Sequence, residues 1–279
     1  TQKSASAPVQ RSELQFANGL GGFSSDGREY VITVSADRMT PLPWVNVLAN
    51  PQFGSIVSES GSASTWSENA QAFRLTPWAN DPVADPNTEA FYLRDEESGH
   101  FWSPTVLPSA GVGDYVTRHG FGYSVFEHEE DGIASSLTMF VAIDAPIKFV
   151  VLTLHNGCER TRTLSVTGYL EWVLGDERAK TARHIGTARE AGTNALFAHN
   201  PTNMDFAGRT AFFDVDITSD DHFSAGCDRH EFLGAGGNLQ RPAAMKAKAL
   251  SGAKGFALDP CAALRVGFTL ASGQTRDIV

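Results

Sequence analysis

The sequence predicts an all-β fold, an antiparallel sandwich with at most short helices. Three features lead there: short β-branched and aromatic runs, glycine-bearing turn signals between them, and a scarcity of helical periodicity. The run Tyr30-Val31-Ile32-Thr33-Val34 is brief and β-branched. Ile147 to Leu154 is almost continuously apolar, and Arg162 to Leu174 mixes Leu164, Val166, Tyr169, Leu170 and Trp172 with threonines. Such side chains suit a pleated, half-buried surface. Asp26-Gly27 precedes one run. Glu97-Ser98-Gly99 separates Phe91-Tyr92-Leu93 from Phe101-Trp102, and Asp131-Gly132 separates Tyr123–Phe126 from Ile133–Val141. Asp-Gly between apolar runs marks a hairpin, because both central residues can take positive φ. The one helical expectation is Pro242 to Leu250, with proline at its start and Gly252 beyond its end.

Size and charge narrow the possibilities. The 279 residues suit one β-sandwich domain over 13–279, preceded by a polar segment, 1–12, that reads as a disordered tail. Apolar residues make up 42% of the chain, enough for a sizeable core. The formal net charge of −10 repels phosphodiester backbones, so no nucleic-acid partner is expected. Cys158, Cys227 and Cys261 are widely spaced and odd in number. This argues for buried, reduced thiols in a cytoplasmic setting and against a disulfide framework or zinc site; no metal is expected. No apolar run approaches the ~18 residues of a membrane span, and no membrane contact is expected.

Trp66 to Asp85 is the unusual segment. It holds Trp66, Trp78, Asn69, Arg74, Asn80, Asp81 and Asp85 without a clear period. Its tryptophans argue for an ordered loop rather than disorder.

Eight short stretches occur in order along the chain: Asn50-Pro51-x-Phe53-Gly54; Trp66-x-x-Asn69; Arg74 to Asp85; Glu89-Ala90-x-Tyr92-Leu93-Arg94-Asp95; Trp102-Ser103-Pro104-Thr105; His119-Gly120-x-Gly122-Tyr123; Tyr169-x-Glu171-Trp172-Val173-Leu174-Gly175; and Asp259-Pro260-Cys261-Ala262-Ala263-Leu264. Any one is weak and the ordered series is specific. Together they resemble the N-terminal β-sandwich of glycoside hydrolase family 94, formerly glycosyltransferase family 36. The closest similarity is to the phosphorylase-like region of bacterial cyclic β-1,2-glucan synthases, and it runs from about Leu14 to the end.

The resemblance implies a large antiparallel super-sandwich of the galactose-mutarotase type. In that family the domain precedes a helical linker and an α/α-barrel that carries the catalytic acid. The expectation is therefore a non-catalytic, carbohydrate-handling domain with no catalytic residue and no cofactor of its own, and with inorganic phosphate as co-substrate of the parent. Implied partners are a β-glucan (β-1,2-linked), the parent's own α/α-barrel and a second copy in a homodimer. The parent would be anchored in the bacterial inner membrane, with this domain on the cytoplasmic side.

Candidate substrate-binding residues are Trp66, Asn69, Arg74, Trp78, Asp81 and Trp102. Flat aromatic faces stack on the C–H faces of sugar rings, and Asn, Asp and Arg bind hydroxyls. The competing reading is that the tryptophans pin the loop to the core and that Asp81, Asp85 and Asp95 cap turns. His119 and Glu171 form an alternative acid/base pair, as a mutarotase-like epimerase would require. The competing reading there is a satisfied structural histidine and a paired carboxylate. A self-sufficient carbohydrate-binding module is the remaining alternative, along with a purely structural role in pairing subunits.

Overall fold

A computed structural model describes residues 14–279, and the expectation for residues 1–12 lies outside the described residues. The strands follow in chain order: β1 Gly21–Phe23, β2 Glu29–Val34, β3 Val45–Ala49, β4 Phe53–Ser58, β5 Ala63–Ser67 and β6 Glu89–Asp95. Next come β7 Phe101–Trp102, β8 Tyr115–Gly120, β9 Tyr123–Glu130, β10 Ile133–Val141, β11 Lys148–Asn156 and β12 Arg162–Glu171. The last are β13 Gly186–Arg189, β14 Leu196–His199, β15 Thr210–Phe213, β16 His222–Asp228, β17 Pro260–Leu270 and β18 Thr275–Ile278.

They form a seven-stranded sheet in the order β1-β2-β8-β9-β10-β11-β18 and a five-stranded sheet in the order β16-β17-β12-β6-β7. Two three-stranded sheets, β13-β14-β15 and β3-β4-β5, complete the fold. The pairings are antiparallel, as the hairpin signals require. At Asp131-Gly132 both residues take positive φ, 49° and 76°, which closes the β9–β10 hairpin with a twist matching its strands.

The main core lies between the two large sheets. Leu137, Met139, Leu152 and Leu154 from the seven-stranded sheet meet Leu93, Leu164, Val266 and Phe268 from the five-stranded one. In β10 burial alternates residue by residue, as in a strand with one solvated face. The central strand β12 is instead buried on both faces along nearly its whole length. Its second face packs Tyr169 against Phe232 and Met245, while Leu170, on the same face as Leu164 and Val166, joins a neighbouring cluster with Ile185 and Leu196.

Four sequence expectations need correction. Pro242–Leu250 is not an α-helix: only a 3₁₀ turn, Ala243–Lys246, forms, and Ala247 is already extended. The carbonyls of Ala244 and Ala247 instead accept from the buried Arg265 guanidinium, each at 2.7 Å. A real helix, α1 (Arg178–Thr181), and another, α2 (Arg229–Leu233), were not anticipated; Asp228 caps the latter by accepting from the His230 N–H. The strand expected to reach Leu174 stops at Glu171, where Val173 bonds to Leu75 and Leu174 takes φ 45°. Of the thiols, Cys227 and Cys261 are buried but Cys158 is only half-buried. Among the described residues no helix is long and apolar enough to cross a membrane.

Candidate functional site

A cavity of about 470 Å³ lies beside the start of β11. β4 and β5 contribute Phe53, Thr65 and Ser67; β6 contributes Glu89 and Phe91; β15 contributes Thr210 to Phe213. Its polar floor is a buried ion pair between Glu89 and Lys148. Glu89 Oε1 also accepts from Thr65 Oγ1 at 2.6 Å and Thr76 Oγ1 at 2.8 Å. Lys148 Nζ donates further to Thr65 Oγ1 at 2.9 Å and Ser55 Oγ at 3.3 Å. Burial alone would push the Glu89 carboxyl up, but the Lys148 ammonium and the two threonine hydroxyls outweigh it and hold Glu89 below its ordinary value. The floor is therefore charged, satisfied and electrically neutral as a whole.

A second cavity, about 310 Å³, lies over the Trp66–Asp85 segment and is lined by Leu42, Val45, Ile56, Trp78, Asp81 and Asp85 among others. Two of the candidates, Trp78 and Asp81, line it, and a third, Arg74, reaches the Trp78 ring. Trp78 is 46% exposed, and Arg74 lies over its ring at 5.7 Å from the centroid. Arg74 is held in place by the Ala70 and Asp176 carbonyls at 3.2 and 3.1 Å. Asp81 closes a turn by accepting the Val83 and Ala84 N–H groups at 2.9 and 3.1 Å; these bonds hold its carboxyl below the usual range. Asp85 accepts from Ser58 and Ser60, which fastens the loop to β4 and the turn after it.

The remaining candidates lie elsewhere. Trp66 is in β5, not in the loop, and its ring covers Gly54 so closely that a β-carbon there would stand 2.3 Å from the ring. Asn69 caps its own turn, accepting from Gln71 and Ala72 at 2.9 and 2.8 Å. Trp102 is fully buried in the main core, so neither face of its ring is open to a ligand.

His119 and Glu171 do not converge. His119, on β8, has its two ring nitrogens on Ser124 Oγ at 2.9 Å and the Trp44 carbonyl at 3.0 Å, and burial lowers its pKa. Glu171 ends β12 of the other large sheet, where it meets Arg229 at 2.7 Å, Arg178 at 3.1 Å and the Tyr169 hydroxyl at 3.2 Å. Asp259 completes that network against the same two arginines. This is a satisfied histidine and a paired carboxylate, with no shared partner.

Two polar clusters escaped sequence reading. One is the Glu89–Lys148 floor. The other places Glu130 between His100 Nε2 at 3.0 Å and His128 Nε2 at 3.4 Å, with Val112 N–H donating at 2.6 Å. A glutamate opening a strand of otherwise inward residues was the available signal for the first. Its partner stands 59 residues away, a separation that no local pattern spans.

Comparison with known proteins decides the family. The model of the glycosyl hydrolase 94 supersandwich domain matches residues 28–279. The chain belongs to this family. The supersandwich domain is 40% identical over 270 residues to the cyclic beta-(1,2)-glucan synthase NdvB of Rhizobium meliloti, covering 95% of this chain and 9% of that protein. It is 28% identical over 265 residues to the N,N'-diacetylchitobiose phosphorylase of Vibrio furnissii, covering 91% of this chain and 32% of the enzyme. A solabiose phosphorylase of Paenibacillus borealis is 31% identical over 159 residues, 56% of this chain and 20% of that enzyme. The supersandwich domain thus spans a third or less of each of these relatives.

Proposed function

We propose that the supersandwich domain is a non-catalytic, carbohydrate-handling unit of a glucan-active enzyme, framing the glucan entrance and supporting assembly with a separate catalytic α/α-barrel. The observation that carries this reading is the state of its carboxylates. Asp81, Asp85, Asp95, Glu89, Glu130 and Glu171 each already serve a turn, a hydroxyl, a histidine or an ion pair. An inverting phosphorylase needs an acid that is protonated near neutral pH and poised on the glycosidic oxygen. Charge partners and N–H donors that hold Glu89, Asp95 and Glu130 below their ordinary values pull the opposite way, and Glu59, which burial raises, is enclosed and already accepts from the Thr40 hydroxyl and the Trp44 N–H.

A second support is the range of the relatives. Their names give a β-1,2-glucan, diacetylchitobiose and solabiose, yet the sequence of this sandwich recurs in each, over nearly its whole length in the first two and over about half in the third. A shared framework with sugar choice made elsewhere accounts for that. The loop carrying Arg74, Trp78 and Asp81 is the part of this framework offered to the substrate path, and inorganic phosphate would be handled by the barrel. The apolar side chains exposed around it, Leu42, Val45 and Val83, suit contact with that barrel or a second copy.

Two measurements test the proposal. The domain alone, given linear β-1,2-gluco-oligosaccharide and phosphate, should release no sugar phosphate; release abolished by a single carboxylate substitution within it would refute the reading. In an enzyme carrying the domain, Trp78→Ala should lower kcat/KM for glucan by about tenfold, the scale of losing one well-placed aromatic contact, while leaving the unfolding midpoint of the domain unchanged.

A further inference from the structure

The end of β9 gathers negative charge without a strong counter-cation. Glu130 closes the strand and is nearly enclosed, and Asp131, next in the β9–β10 turn, is exposed. His100, exposed just before β7, turns its Nε2 to Glu130 Oε1 at 3.0 Å. One ligand atom from each of His100, Glu130 and Asp131 lies within 4.8 Å of the other two. Among the described residues no lysine or arginine pairs with either carboxylate, and the only ion-pair partners of Glu130 are His100 and His128. We infer that His100, Glu130 and Asp131 form a site for a divalent transition-metal ion, backed by the buried imidazole of His128. The inference is independent of the glucan reading.

His128 supplies a second, separate observation. Its side chain is fully enclosed, and Nδ1 lies 3.1 Å from the Asp114 carbonyl. A carbonyl oxygen only accepts, so Nδ1 carries a proton and the neutral ring presents a lone pair at Nε2. That Nε2 points at Glu130 Oε2 from 3.4 Å and has no hydrogen-bond partner among the described residues. A buried lone pair set against a carboxylate oxygen is unfavourable unless positive charge stands with them. A proton on Nε2 supplies it in the metal-free protein, and a divalent cation on the carboxylate supplies it more fully. Metal sites hold their imidazoles in this manner, with the other ring nitrogen on a backbone carbonyl. Metal–ligand bonds of about 2.0–2.2 Å separate neighbouring ligands by about 3.0–3.5 Å. The 3.0 Å between His100 and Glu130 already matches, so the ion can take the place of the shared proton with little movement. The Val112 N–H, at 2.6 Å from Oε2, fixes the carboxylate and leaves Oε1 turned to the ion. An imidazole with two carboxylates suits zinc better than magnesium, with water on the remaining positions. Such an ion ties the tip of the β9–β10 hairpin to the segment that enters β7. The expectation of no metal rests on cysteine spacing, which does not register a site assembled from a turn and two strand ends.

The test is calorimetric titration of the 279-residue protein with zinc chloride after its metals have been stripped with EDTA and the chelator removed. Zinc should bind at one site and raise the melting temperature. His100→Gln and Asp131→Asn should each weaken binding by about tenfold or more, the scale of damage to a metal's ligand shell, and should lose the rise in melting temperature. Both variants are built to fold, because His100 is exposed and asparagine tolerates the positive φ of 49° at position 131. Circular dichroism checks that they do. Cys158→Ser is the control, since Cys158 Sγ lies 3.3 Å from the Asp131 carbonyl and is the thiol beside the hairpin; it should leave zinc binding unchanged. No binding by the unsubstituted protein, or binding only at millimolar zinc, overturns the inference and leaves a proton as the charge between His128 and Glu130. Zinc binding that survives both His100→Gln and Asp131→Asn, or that is lost in Cys158→Ser, overturns it by placing the ion on other ligands.

Discussion

At the scale of single residues, the buried pair Glu89–Lys148 is the sharpest test of how the domain holds its cavity. Lys148→Met leaves a buried carboxylate facing two hydroxyls and no cation. Removing one partner of such a pair costs about 3–5 kcal/mol, whereas replacing both partners with apolar groups is often nearly neutral. Urea unfolding should therefore rank Lys148→Met well below wild type, with the double variant Glu89→Leu, Lys148→Met recovering much of the loss. Equal destabilisation in both would mean that the threonine bonds matter more than the charge. Glu130 gives a pH signature. Burial opposes its ionisation, but bonds from His100, His128 and the Val112 N–H hold it well below the ordinary carboxylate range. A depressed folded-state pKa contributes stability that is present above the unfolded value, about 4.3, and is lost as pH falls through the folded one. Glu130→Gln should lower the melting temperature at pH 7, and the gap to wild type should close progressively below about pH 4.

At the scale of elements, the hairpins were the most legible feature and the helices the least. Asp131-Gly132 reads from two letters because the turn's positive φ values restrict which residues fit. Gly132→Ala forces a side chain into φ 76°, with its β-carbon 2.6 Å from Cys158 Sγ. It should cost about 1–3 kcal/mol, measured by chemical unfolding, and Gly27→Ala, at similar φ but with no neighbour within 4 Å, should cost less. Pro242–Leu250 misled because its alanines and lysines favour helix locally. The carbonyls that a helix would use are taken by Arg265, a residue on β17 whose position no local window contains. The tryptophans divided for the same reason. Trp102 and Trp78 each stand within two residues of a proline, yet one is fully buried and the other 46% exposed. What separates them is which sheet lies above each, and that is not written in the neighbouring residues.

At the scale of the whole molecule, a net charge of −10 on 279 residues makes self-repulsion part of the stability balance. Exposed ion pairs are weak by nature, so screening should relieve more repulsion than attraction. The melting temperature should rise between about 10 mM and 150 mM sodium chloride; a fall would place the balance with ion pairs such as Glu68–Arg209. By itself the sequence determined the β class, the positions of the tight turns, the ordered loop and the family, because turn chemistry, strand propensity and motif order are local or linear properties. The tertiary structure alone decided that His119 and Glu171 stand apart, that Glu89 meets Lys148, and that His100, Glu130 and Asp131 converge. Those facts depend on which strands pair across long separations, and side chains acquire their charge partners and exposure only when the sheets close over them.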